Sequence, residues 1–178
     1  MKKMNLSRAS HKVAFYGVMT AVAMIFGYIE HLLPLPIGIY GIKIGLANIV
    51  PLTVLELFGA LPAAIINFVR IVLSGILFGN TVSIAYGLAG GALSLVAMIG
   101  ARHIKGIGAV GVGIVGGVAH NIGQLLVAVF LTDEIRIAFY LPVLLIAGAI
   151  AGFLVGIVAS LTLNNKNINR STKNNTEV

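Results

Sequence analysis

Long apolar runs joined by very short links leave this chain one solvent in which to fold. The runs cover 13–33, 42–58, 63–78, 82–101, 107–131 and 137–163, and few charges interrupt them. A helix of about 20 apolar residues crosses a bilayer core. Backbone groups inside lipid must be satisfied within the protein, so a spanning segment is either a helix or part of a closed barrel. Barrel strands alternate polar and apolar residues over about ten positions; these runs are longer and continuously apolar. The expected architecture is therefore an all-α integral membrane protein with six transmembrane helices. Composition closes the soluble alternative. Of 178 residues, 58% are hydrophobic and 10% charged, whereas soluble domains carry about 25% charged residues.

Punctuation between the runs is weak but consistent. Pro34 and Pro36 end the first, and a Gly-rich stretch at 37–41 leads into the second. Gly59 and Pro62 turn the chain into the third, while Gly79 and Asn80 break it before the fourth. The expected organisation is a basic tail (1–12), one transmembrane domain (13–163) and a tail (164–178) rich in Asn, Lys and Thr, whose composition predicts disorder. The beginning resembles a signal peptide, with Lys2, Lys3, Arg8 and Lys12 ahead of an apolar run. The run is longer than an ordinary signal core, however, and its A-x-A-like triplet at 21–23 lies in the middle, so it reads as a retained first helix.

The net charge of +7 is distributed as in a membrane protein and not as on a nucleic-acid-binding face. With six spans, one side holds Lys2, Lys3, Arg8, Lys12, Arg102, Lys105, Lys166, Arg170 and Lys173. The other holds Lys43 and Arg136, and Arg70 lies within a span. Nine against two predicts both termini in the cytoplasm of a bacterial cell. No nucleic-acid partner is expected. The absence of cysteine excludes disulfides, thiolate metal sites and cysteine nucleophiles.

Glycine recurs every four residues at Gly148, Gly152 and Gly156, with shorter stripes at Gly87 and Gly91 and at Gly113 and Gly117. Gly17 and Ala21 share a face of the first span. Small residues at this spacing let helices approach closely in lipid, either within the bundle or at a subunit interface.

Polar groups inside spans are costly, so each needs a partner, a cavity or an aqueous edge. Asn67, Arg70 and Ser74 are spaced by three and four and share a face of the third span. Arg70 is either neutralised by a carboxylate or poised for an anion. Glu56 is the nearest acid in sequence, but the two differ in depth by roughly 8–10 Å at the helical rise. His120, Asn121 and Gln124 can point into one cavity from the fifth span. Glu30, Lys43 and Asn48 fall towards the outer ends of the first two spans. Lys43 and Glu30 can equally be ordinary interfacial residues. Together with Arg70 these residues suggest an outward-opening pocket with a positive bias, suited to a ligand bearing a carboxylate or phosphate.

Catalytic motifs are missing. The chain has no D-D-x-x-D, no G-x-x-x-x-G-K-[ST], no H-E-x-x-H and no G-x-S-x-G. Asp133 and Glu134 form a lone acidic pair in a loop. No catalytic residue, metal or cofactor is expected.

Four stretches carry a resemblance: Glu30-His-Leu-Leu-Pro-Leu-Pro, Lys43-Ile-Gly-Leu-Ala-Asn48, Arg70-Ile-Val-Leu-Ser74 and His120-Asn-Ile-Gly-Gln124. With them the chain resembles the family called heptaprenyl diphosphate synthase component I, or Gx transporter, over nearly all of 13–160. That family is similar in size and span count to the substrate-binding (S) components of energy-coupling factor (ECF) vitamin transporters. The resemblance implies a six-helix fold that binds a small solute near the outer face, under the loop between helices 1 and 2. It implies partnership with a membrane coupling subunit and two ATPase subunits. In such proteins a small-residue face on the first helix docks to the coupling subunit; Gly17 and Ala21 are the counterparts, although A-x-x-x-A itself is absent. The expected solute is small and anionic, or resembles a vitamin or isoprenoid precursor. The family's older name implies the alternative, a membrane accessory of heptaprenyl diphosphate synthase, which without aspartate-rich motifs would act as a partner and not as the catalyst.

Overall fold

The computed structural model describes residues 9–32 and 45–176. Among these residues there are six α-helices and no strand. In chain order they are α1 (Ala9–Leu32), α2 (Ile49–Phe58), α3 (Ala60–Phe78), α4 (Thr81–Ala101), α5 (Ala109–Thr132) and α6 (Leu141–Thr176). A single 3-10 turn at Leu46–Asn48 and a six-residue 3-10 helix at Ile135–Tyr140 lead into α2 and α6. All but α2 are long and apolar enough to cross a bilayer, which makes five such helices in a multi-pass membrane protein. Their outward faces bear large apolar groups such as Leu61 (71% exposed), Ile76 (66%) and Phe130 (85%). A continuous surface of this kind is stable against lipid and not against water.

The second helix differs from expectation. The predicted span 42–58 would nearly cross the bilayer, but α2 has ten residues and, with its leading 3-10 turn, begins at Leu46; residues 42–44 lie outside those described. At about 1.5 Å per residue α2 spans about 15 Å, half the hydrocarbon thickness. It is also the most enclosed helix. Leu52, Val54 and Leu55 are at most 1% exposed, and Ile49, Val50 and Pro51 are buried as well. A helix that is apolar all round is either lipid-facing or core, and its hydropathy does not say which. Here it is core.

Local chemistry explains the joints. Gly59 alone separates α2 from α3, at φ 100°, a conformation strained for any residue with a Cβ. Pro62 then sits in the first turn of α3, where an amide hydrogen would have no helical partner. Asn80 caps α4: its Oδ1 accepts from the Ser83 amide at 2.8 Å and from the Ser83 hydroxyl at 3.0 Å. The helix α6 runs on to Thr176, past residue 163 where the sequence reading ends the span and begins a tail.

The glycine stripes are internal. A Cβ on Gly113 would meet the Gly152 carbonyl and lie 2.9 Å from the Gly156 Cα, and one on Gly148 would lie 2.7 Å from the Gly117 carbonyl oxygen. The backbones of α5 and α6 therefore touch along a seam of glycines. Gly123 does the same towards α4, where its Cβ would lie 2.8 Å from the Gly90 Cα.

By contrast α1 packs through larger side chains, with Ala23 in the core and Met19, Val22 and Phe26 against it, and with two aromatic pairs. Phe15 packs on Phe58 with ring centroids 4.4 Å apart, and Tyr28 on Phe78 at 4.9 Å. Thr20 and Ala23 face inward, while Gly17 and Ala21 lie on the exposed face. A Cβ on Gly17 would meet nothing within 4 Å.

Candidate functional site

Arg70 sits in the interior of α3, 9% exposed. Its Nε and Nη2 donate to the Asn67 Oδ1 at 3.0 and 2.9 Å, and Nη2 also donates to the Asn48 Oδ1 at 2.8 Å. The three-residue spacing that puts Asn67 and Arg70 on one face is thus realised as a direct contact. Two amide oxygens fix the plane of a guanidinium, which stays protonated in proteins.

The orientation of Asn67 is itself determined. Its Nδ2 donates to the Gly91 carbonyl on α4 at 3.2 Å, which turns Oδ1 towards Arg70. Gly91 makes room for this, since a Cβ there would lie 2.8 Å from the Asn67 Nδ2. Asn67→Leu removes the acceptor for two Arg70 donors in a buried setting. The expected result is a loss of about 1–3 kcal/mol of stability, read by denaturant unfolding in detergent micelles. Gly91→Ala is expected to lower stability in the same direction by pushing the Asn67 amide away.

Asn48 ends the 3-10 turn that runs directly into α2, with helical backbone angles (φ −81°, ψ −9°) and not the extended ones from which an Asn side chain caps a first turn. No such cap bond forms; the oxygen is given to Arg70 instead. Asn48 also lines a small cavity with Ser94, His120 and Asn121, and the α5–α6 seam glycines Gly113, Gly117, Gly148 and Gly152 form a wall of it. The cavity measures about 20 Å³, room for about one water molecule. Asn121 is 4% exposed, and its Nδ2 donates to the Leu144 carbonyl on α6 at 2.8 Å. His120 lies against α4, where a Cβ on Gly90 would be 2.9 Å from its Cε1.

Two polar groups singled out from the sequence therefore meet through Asn48. On one side stand Arg70 and Asn67; on the other stand His120 and Asn121. Gln124 does not join the cavity. It lies one turn along α5, with its Cγ against Gly90. Glu30 falls in α1, but its side chain is not among those described, and Lys43 lies outside the described residues altogether. No group of His, Asp and Glu among the described residues could hold a metal ion.

Glu56 does not pair with Arg70. Its Oε2 lies 3.5 Å from the Nε of Arg102, whose Nη1 donates to the Leu55 carbonyl at 2.8 Å. The depth difference between Glu56 and Arg70 explains the choice, since Arg102 ends α4 at the same level as the end of α2. Ser94, at 2% exposure, is a member of the cavity that sequence reasoning passed over. The signal was its position four residues beyond Gly90 and three beyond Gly91, on a face that glycine had already marked for close approach.

Residues 19–162 match the family model described as heptaprenyl diphosphate synthase component I. No curated protein and no solved structure matches the chain.

Proposed function

The chain belongs to the heptaprenyl diphosphate synthase component I family, and we propose that it is the substrate-binding membrane subunit of an energy-coupled transporter, taking a small anionic solute from outside a bacterial cell. The observation that carries this reading is a buried guanidinium oriented by two amide oxygens, one of which belongs to Asn48 in the lining of a small, largely apolar cavity. An Arg so held is suited to a carboxylate or phosphate. The solute is an organic anion of vitamin or isoprenoid-precursor type. A solute larger than water requires the helices around Asn48 to part.

In the proposed topology α2 and the segment before it make a sixth crossing, and the Lys and Arg distribution puts both termini in the cytoplasm. Arg70 then faces outward from mid-membrane, while Glu56 and Arg102 lie at the cytoplasmic end. Transport energy would come from a membrane coupling subunit with two ATPases. The exposed face of α1 that carries Gly17 and Ala21 is suited to dock the coupling subunit, since a glycine with no neighbour is open to another helix.

The family description favours a second reading, a membrane accessory of a prenyl diphosphate synthase. Purification of the tagged chain from its native membranes in mild detergent, with partners identified by mass spectrometry, separates the two. Recovery of a coupling subunit with paired ATPases supports transport; recovery of a prenyl diphosphate synthase subunit without them sinks it. Gly17→Leu is expected to leave folding unchanged and to reduce recovery of the coupling subunit at least several-fold. Undiminished recovery would place the docking face elsewhere.

A further inference from the structure

The two ends of α2 are each held by an arginine, one from within α3 and one directly after α4. At the N-terminal end Asn48 accepts from Arg70 of α3 at 2.8 Å. At the C-terminal end the Leu55 carbonyl accepts from Arg102 at 2.8 Å, and the same guanidinium lies 3.5 Å from Glu56. A cation at the carbonyl end of a helix is favourably placed against its dipole. The Arg70 contact instead uses the side chain of Asn48, at the junction of the 3-10 turn and α2.

Between these ends α2 has no slack. Leu52, Val54 and Leu55 are at most 1% exposed, and Pro51 is among the fully buried side chains. Interiors packed at crystal-like density transmit displacement and do not absorb it. A ten-residue helix is also too short to bend appreciably. Gly59, at φ 100°, follows directly and can change the angle between α2 and α3 without a linker. Arg102, at the other end of this arrangement, opens the 102–108 loop, in which His103, Ile104 and Lys105 are exposed.

From these contacts we infer that α2 is a strut that carries the state of the Arg70 site to the 102–108 loop on the opposite face, with Glu56 and Arg102 as its positioning residues. Movement of Asn48, when Arg70 turns to an anion, is delivered along α2 to Leu55 and Glu56, and through Arg102 to the loop. The inference rests on Arg70 being the binding site, but its test uses no ligand. Failure of the coupling would therefore leave the transport reading standing.

The absence of cysteine makes the experiment direct. Lys105→Cys in the otherwise unaltered full chain, reconstituted in nanodiscs, gives one attachment point for a nitroxide label. Arg102→Gln is expected to raise the label's mobility, and Asn48→Ala, at the far end of α2, is expected to raise it by at least half as much. Asn48→Asp keeps an acceptor for Arg70 and should retain the parent spectrum. Asn80→Ala is the control, because it removes the cap at the far end of α4, the helix that itself leads to Arg102; it should also retain the parent spectrum. If Asn48→Ala does not fold, Arg70→Lys replaces it, since a shorter, non-planar donor loosens the same contact. A parent spectrum in Asn48→Ala beside a mobile label in Arg102→Gln would make the clamp a local staple and overturn the inference. A parent spectrum in Arg102→Gln, or a mobile label in Asn80→Ala, overturns it equally.

Discussion

Arg70→Ala is expected to abolish solute capture while leaving the helix bundle assembled. Removing one partner of a buried, charge-assisted contact costs about 2–5 kcal/mol of binding, equivalent to about 30- to 5,000-fold in affinity. The structural cost is of comparable size but spread over the bundle. The substitution also removes the cation, and among the described contacts it leaves the amide oxygens of Asn48 and Asn67 without this donor; each such loss is worth about 1–3 kcal/mol. Arg70→Lys should fall between, because an ammonium retains the charge but cannot bridge two oxygens in one plane. The measurement is mass spectrometry of small molecules co-purifying with wild type and variants in mild detergent, beside thermal unfolding of the same samples. Loss of a specific co-purified anion from a folded Arg70→Ala protein is the expected outcome. Failure of Arg70→Ala to insert or fold would instead identify Arg70 as a structural pin of α2 and α3.

The largest expected effect on stability lies in the glycine seam between α5 and α6, which also forms a wall of the cavity. Gly152→Ala would put a Cβ against the Gly113 carbonyl and 2.7 Å from the Ile114 Cα. Both obstacles are backbone, so no rotamer change relieves the overlap and α5 and α6 must separate. Overpacking a close-packed contact costs about 1–3 kcal/mol where side chains can yield; a backbone seam should sit at or above the top of that range. Size-exclusion profiles and thermal unfolding in detergent should show a markedly destabilised or aggregated protein. Wild-type unfolding of Gly152→Ala would mean that α5 and α6 do not meet along this seam.

Parts of this arrangement were legible in the sequence because they depend on helical period alone. Asn67 and Arg70 share a face by spacing, and Gly148, Gly152 and Gly156 share another, whatever their neighbours. Period does not name the partner, however. That the glycines of α6 meet Gly113 and Gly117, and not another subunit, depends on how the bundle closes. Asn48 could be placed near Arg70 only after the start of α2 was known, because the contact crosses 22 residues. Glu56 is the acid nearest Arg70 in sequence, at a depth that already makes a direct pair stretched, and Arg102 takes it from 46 residues away, where depth matches. Most opaque was α2 itself. Apolar side chains serve equally against lipid and against protein, so hydropathy marks a membrane crossing and an enclosed core helix alike.

The glycine seam also bears on how functional residues can be found in this chain by genetics. At Gly113, Gly117, Gly148 and Gly152 every alternative side chain begins with the same obstructing carbon, so selection should tolerate none of them. A survey of random substitutions scored on growth would rank these positions beside Arg70 and Asn48, and the same glycines also line the cavity beside Asn48. Intolerance alone would then not tell closure of the seam from a part in binding. Scoring protein abundance and transport separately would divide the two groups: seam variants should disappear from the membrane, while site variants remain there and fail.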